Sequence, residues 1–174
     1  MITQRMSLRT EVLYSDDLTH RYLMRKEWDK NKPKATIIMI NPSSATEIEI
    51  DQTTMNVINN LNRLGYGVVD ITNLCSLISP KISYRLSMEE LVHEENDIQI
   101  EKSCLKSDCV IIAWGSFGEG SRKMMQRQEE LLQKLSPFQD KMYVICDAYR
   151  SIPMHPLCPR VKNQWRLVKR VGGK

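Results

Sequence analysis

The chain has 174 residues, 41% hydrophobic and 26% charged, with a formal net charge of +4, a balance too apolar for a disordered segment and a length that suits one α/β domain, 1–174, with a true core. No apolar run approaches the length of a membrane span and the opening MITQRMSLRT lacks the apolar heart of a signal peptide, so the expected compartment is the cytoplasm, without membrane contact. Five cysteines without a C-x-x-C pair, and only three histidines (His20, His93 and His155), argue against a disulfide framework and a structural zinc; no metal and no cofactor are expected.

In chain order, RTEVLYS and RYLMRKEW within the first 35 residues read as short strands or a hairpin at a sheet edge. Residues 36–40 (TIIMI), 67–73 (GVVDITN), 109–113 (CVIIA) and 142–146 (MYVIC) are short, continuous and rich in Val and Ile, as strands buried on both faces of a parallel sheet are. Between them, residues 53–64 carry Val57, Ile58, Leu61 and Leu64 on one helical face, with Gly65 as the stop. Residues 87–106 open on Ser87 with Glu90 three residues on, the signature of a capping box, and divide into more than one helical piece. Residues 119–135 place Met125, Leu131, Leu132 and Leu135 among charges. Strands alternating with helices predict a central four-stranded parallel sheet flanked by helices.

In such sheets ligands collect at the carboxyl ends of the strands. The first strand runs into Asn41-Pro42-Ser43 and the second ends at Asn73. The third leads to Trp114-Gly115, and the fourth leads through Asp147 to SIPMHPLCPR, which contains His155. One at a time, these are ordinary caps, turn residues and core aromatics. Together they predict one rim that reads a planar, hydrogen-bonding molecule.

Other chemistries lack their signatures. GSFGEGS at 115–121 is neither a dinucleotide-binding fingerprint nor a P-loop, and no G-x-S-x-G elbow occurs. The pairs Glu94-Glu95 and Glu129-Glu130 read as solvated helix faces, and Cys75, Cys146 or Cys158 would need His155 alongside to act as a nucleophile. After Asp147 there is no acidic residue, while Arg150, Arg160, Lys162, Arg166, Lys169, Arg170 and Lys174 follow. A segment of one sign is either a solvated terminus or a surface for phosphates or an acidic partner.

The spaced motifs NPSSAT…D.TT, TNLCSL, AWGSFGEGSR and P.HPL resemble the bacterial and phage family called domain of unknown function 1643, over roughly residues 20 to 160. Their order is also similar, remotely, to the uracil-DNA glycosylase superfamily. That likeness implies a three-layer fold in which Asn41 stands at the water-activating position, as in the mismatch-specific branch, and Asn73 reads the uracil edge. It further matches Trp114 and Gly115 to a tryptophan-glycine pair, and His155 to the histidine that stabilises the departing uracil anion. Asparagine cannot take a proton from water. No Phe, Tyr or Trp occurs between residues 43 and 62 to stack on a base, and Leu157 and Cys158 replace the serines expected to grip phosphates.

The expectation is therefore a degenerate, pseudoenzyme form of a glycosylase. It would have lost uracil excision and act by binding DNA, or a DNA-mimicking uracil-DNA glycosylase inhibitor protein, through Arg150, Arg160, Lys162 and Arg166 beside the rim. Two alternatives stand next to it. One is an active N-glycosidase on a modified base or nucleoside, with Asn41 positioning water. The other is a small-molecule-binding α/β module.

Overall fold

A computed structural model describes residues 1–43, 45–83 and 85–170. The elements follow one another as β1 (Arg9–Tyr14), β2 (Arg21–Glu27), β3 (Lys34–Met39), α1 (Gln52–Arg63), β4 (Val68–Asn73), α2 (Met88–Leu91) and α3 (Glu95–Leu105). They continue with β5 (Cys109–Ile112), α4 (Arg122–Lys134), a 3-10 helix (Ser136–Lys141), β6 (Met142–Cys146) and β7 (Arg166–Lys169). All seven strands form one mixed sheet in the order β1-β2-β4-β3-β5-β6-β7. Its centre, β4-β3-β5-β6, is parallel throughout.

The four parallel strands are those expected and the N-terminal hairpin stands at a sheet edge as expected, while β7 adds a strand that was not. At one edge the β1–β2 hairpin is antiparallel and attaches to β4. At the other, β7 pairs antiparallel with β6. The basic C-terminal stretch, read from sequence as tail, thus contributes a strand; its four residues, Arg-Leu-Val-Lys, do not alternate and are too few for periodicity to reveal.

Side-chain alternation along β3 and β5 divides the interior in two. Ile37 and Ile111 point to the face covered by Val57 and Leu61 of α1. Ile38, Val110 and Ile112 point to the other, covered by Ile100 of α3 and Leu131 of α4. Helices on both faces keep water from strands that have no polar side to offer.

Helix boundaries follow local chemistry. Asp51 caps α1 by accepting from the Thr54 N–H at 2.7 Å, and Gly65, at φ +88°, lets the chain leave it. Ser87 and Glu90 form the capping box expected, but the piece they start is only α2, and α3 follows separately. Arg127 of α4, 5% exposed, donates from Nε to the Leu74 carbonyl at 3.0 Å and pairs with Asp97 of α3, fastening both helices to the end of β4. No helix among the described residues is long and apolar enough to cross a membrane.

Candidate functional site

Where β3 ends, the chain turns through Asn41, Pro42 and Ser43 toward the start of α1. A cleft of about 420 Å³ opens there, and Asn41, Ser43, Asp51 and His155 line it together with Arg21 and Ser79. It lies at the carboxyl end of the parallel strands, the place where polar side chains can face a ligand without disturbing the strand ladder.

Asn41, His155 and Asp51 are each held by hydrogen bonds. The Asn41 Nδ2 donates to the Ser79 carbonyl at 2.5 Å and to the Pro42 carbonyl at 3.1 Å. Two carbonyl acceptors fix the amide orientation, so the group left over is Oδ1, an acceptor that cannot take up a proton. The His155 Nδ1 accepts from the Leu157 N–H at 3.2 Å, which puts the proton of the neutral ring on Nε2. Burial lowers the pKa of His155, so the neutral form prevails. Asp51 is the carboxylate of the cleft. Burial pushes its pKa up, but hydrogen bonds from Ser43 and Thr54 and the charge of Arg21 outweigh that and leave it below the usual carboxylate value.

Arg21 was not singled out from sequence. It is 3% exposed. Its Nη1 donates to the Ala45 carbonyl at 2.8 Å, its Nε makes no hydrogen bond, and no carboxylate among the described residues pairs with it within 4.0 Å. A buried guanidinium so poorly compensated is costly for the free protein and suits an anion. It reads as an unremarkable strand residue in RYLMRKEW, and only the return of the chain at Ala45 buries it.

The other rim residues go elsewhere. Asn73, 1% exposed, does not line the cleft; its carbonyl accepts from Asn96 at 3.1 Å and its Nδ2 has no partner. Trp114, 7% exposed, is core, packed on the face of α3 and α4. Gly115, at φ +58°, backs the histidine: a Cβ there would stand 3.1 Å from the His155 backbone nitrogen, so a side chain would push His155.

His155 is also positioned from α1, by residues that sequence reading passed over. The Asn56 Nδ2 donates to the Pro156 carbonyl at 3.1 Å, and the Asn60 Nδ2 to the Lys162 carbonyl at 3.1 Å. The Asn60 Oδ1 accepts from the Trp165 N–H at 3.2 Å, and Arg63 donates to the Asn163 carbonyl at 2.8 Å. The only available sign was an Asn repeated four residues apart on the face that carries Val57 and Leu61, which the helix buries in place of an all-apolar stripe.

The basic segment does not gather at this cleft. Arg160 forms an ion pair with Asp147, and Arg166 donates from Nε to the Asp147 carbonyl at 3.0 Å. Both arginines line a different cavity, which shares no lining residue with the cleft. Arg150 donates its backbone N–H to Asp147 Oδ1 at 2.6 Å, and its side chain and that of Lys162 are exposed. Burial raises the Cys146 thiol and pushes Cys75 to about 11, so neither is a ready nucleophile. Among the described residues no group of three or more His, Cys, Asp or Glu could hold a metal ion.

These features define a mixed α/β protein with a polar cleft at the carboxyl ends of its parallel strands. A family model described as "Protein of unknown function (DUF1643)" matches residues 21–157, and the chain belongs to that family. Nothing matches it among curated proteins or among solved structures.

Proposed function

We propose that the protein is a binding protein of uracil-DNA glycosylase-like build that does not excise uracil and engages DNA, or a DNA-mimicking inhibitor of uracil-DNA glycosylases, at the Asn41–His155 cleft. The observation that carries this reading is the meeting of Asn41, Ser43 and His155 in one cleft where Asn41 offers only a carbonyl oxygen. A donor at His155 and an acceptor at Asn41 suit recognition. Bond cleavage needs a base, and general acid–base catalysis is worth about 10²- to 10⁴-fold. Asp51 supplies one poorly, because its cap to Thr54 and its low pKa commit it to the ionised, hydrogen-bonded state.

Among the described residues no Phe, Tyr or Trp lines the cleft. Base stacking is worth about 1–3 kcal/mol per base, so a flipped base would be held weakly. Arg21 favours a partner that brings negative charge, and phosphates or pre-arranged carboxylates both do. A folded acidic protein has the advantage, because it binds without flipping a base.

The test pairs two measurements. Uracil release from single- and double-stranded uracil-containing DNA is expected to be negligible beside an active glycosylase. Titration of DNA and of a DNA-mimicking inhibitor at fixed salt is expected to show the tighter complex with the inhibitor. Leu157→Glu, a charge of the wrong sign at the exposed cleft mouth, should weaken it. Absence of both complexes overturns the reading. A second reading, a working N-glycosidase, draws on Asp51 sharing the cleft with His155; uracil or nucleoside cleavage abolished by Asp51→Asn would establish it instead.

A further inference from the structure

A cavity of about 760 Å³ lies at the opposite end of α1 from the cleft, between the loop after β6 and the start of β7. Tyr149, Arg160, Gln164, Trp165, Arg166 and Leu167 line it, with Asp147. Its size is in the range that encloses small-molecule ligands and cofactors. We propose that this cavity is a second binding site and takes a nucleotide, a planar base carrying a phosphate.

Three independent observations carry this. Tyr149 is 92% exposed, so an aromatic side chain stands in water beside the cavity. The Trp165 indole is 5% exposed, yet its Nε1 has no hydrogen-bond partner, which leaves a buried donor waiting for an acceptor. Two guanidinium groups line the cavity, and one carboxylate, Asp147, lines it with them. Arg160 pairs with Asp147, and Arg166 is braced by the Asp147 and Arg150 carbonyls at 3.0 and 3.2 Å and by Ser151 Oγ at 3.3 Å. Asp147 itself is tied by the Tyr149 and Arg150 N–H groups at 3.0 and 2.6 Å, so the arginines are positioned while the cavity keeps a net positive charge.

A ring to stack on, an amide at Gln164 to read a base edge, and paired arginines for phosphate form a nucleotide's complement. A neutral apolar ligand would leave the arginines unused, and an inorganic anion would leave the tyrosine exposed. The nucleotide can be free or part of a single strand, and the site is independent of the reading given to the cleft.

The test uses the full chain with thymidine 5′-monophosphate, thymidine, inorganic phosphate and an oligothymidylate, followed by titration calorimetry and by the Trp165 indole N–H resonance. The monophosphate should bind more tightly than thymidine or phosphate alone and shift that resonance. Tyr149→Ala, at an exposed position that leaves folding intact, should weaken it about 5- to 150-fold, the range that one lost stacking contact gives. Tyr149→Phe should restore it, and Arg160→Gln should weaken it and lower its salt dependence. An oligothymidylate that binds more tightly through the same residues identifies a single strand as the source; one that leaves the Trp165 resonance unmoved identifies the free nucleotide. No shift at about 10 mM monophosphate, weaker than specific affinities reach, overturns the proposal. So does an affinity indifferent to Tyr149→Ala. Binding lost in His155→Ala but kept in Tyr149→Ala would move the nucleotide to the cleft and sink this site alone.

Discussion

Two hydrogens on the Asn41 amide and one lone pair on the His155 ring decide what the cleft can offer. Because Ser79 and Pro42 consume the Asn41 donors, its oxygen is the group left to offer; because the Leu157 N–H occupies His155 Nδ1, the neutral ring carries its donor at Nε2. Burial lowers the His155 pKa from 6.5, and the folded protein resists its protonation while the unfolded chain does not. The stabilisation is therefore fully present above pH 6.5 and diminishes as pH falls from there toward the folded pKa. His20, half-buried beside His93, is lowered too, by burial first and the His93 charge second, and acts in the same direction. The expected result is a His155 titration midpoint below 6.5 by NMR, and a melting temperature that falls on acidification through that value. His155→Gln should remove part of that fall; a midpoint at or above 6.5 would contradict the half-buried, neutral ring.

At the scale of elements, α1 is the piece that joins core to site. Its apolar residues face the sheet, and its asparagines hold the 156–165 segment that carries one wall of the cleft into the larger cavity. Asn60, 1% exposed, makes two such contacts and a third, within the helix, to the Asn56 carbonyl at 2.9 Å. Asn60→Ala leaves the Trp165 N–H and the Lys162 carbonyl without their partner. Losing a buried partner costs about 1–3 kcal/mol per orphaned group. Denaturant titration should show a loss of that order. Hydrogen exchange should rise selectively over residues 156–169, while β3 and β4 stay protected; uniform exchange would refute α1's role as a clamp.

Across the whole molecule, the antiparallel hairpin and the parallel centre meet at Asp70 of β4, which is fully buried. Arg25 of β2 donates to it from Nε at 2.7 Å, and Lys34 of β3 approaches to 2.6 Å. One carboxylate thus serves three neighbouring strands. Removing one partner of a buried ionic group leaves the others uncompensated and costs about 3–5 kcal/mol. Asp70→Ala is expected to lower unfolding free energy by that amount. The triple variant Asp70→Leu/Arg25→Met/Lys34→Met should regain most of it, since no charge is then stranded. A single variant as stable as wild type would show the joint to be dispensable.

The β-rich apolar runs, the Ser87 capping box and the helix stop at Gly65 were legible because each depends on residues a few positions apart: alternation, side-chain reach to a nearby N–H, and φ freedom at one glycine. The family likeness was legible for a related reason, since motifs keep their spacing along the chain. Strand β7 was not, because four residues of mixed polarity become a strand only when β6 offers an open edge. The meeting of Asn41 and His155 was expected, but sequence could not say that Trp114 and Asn73 turn inward away from them, or that Arg21, Asn56 and Asn60 belong with them. Those placements come from contacts made across 24 to 105 residues of chain, where packing and the need to pair buried polar groups select among uses that each residue type could serve equally well alone.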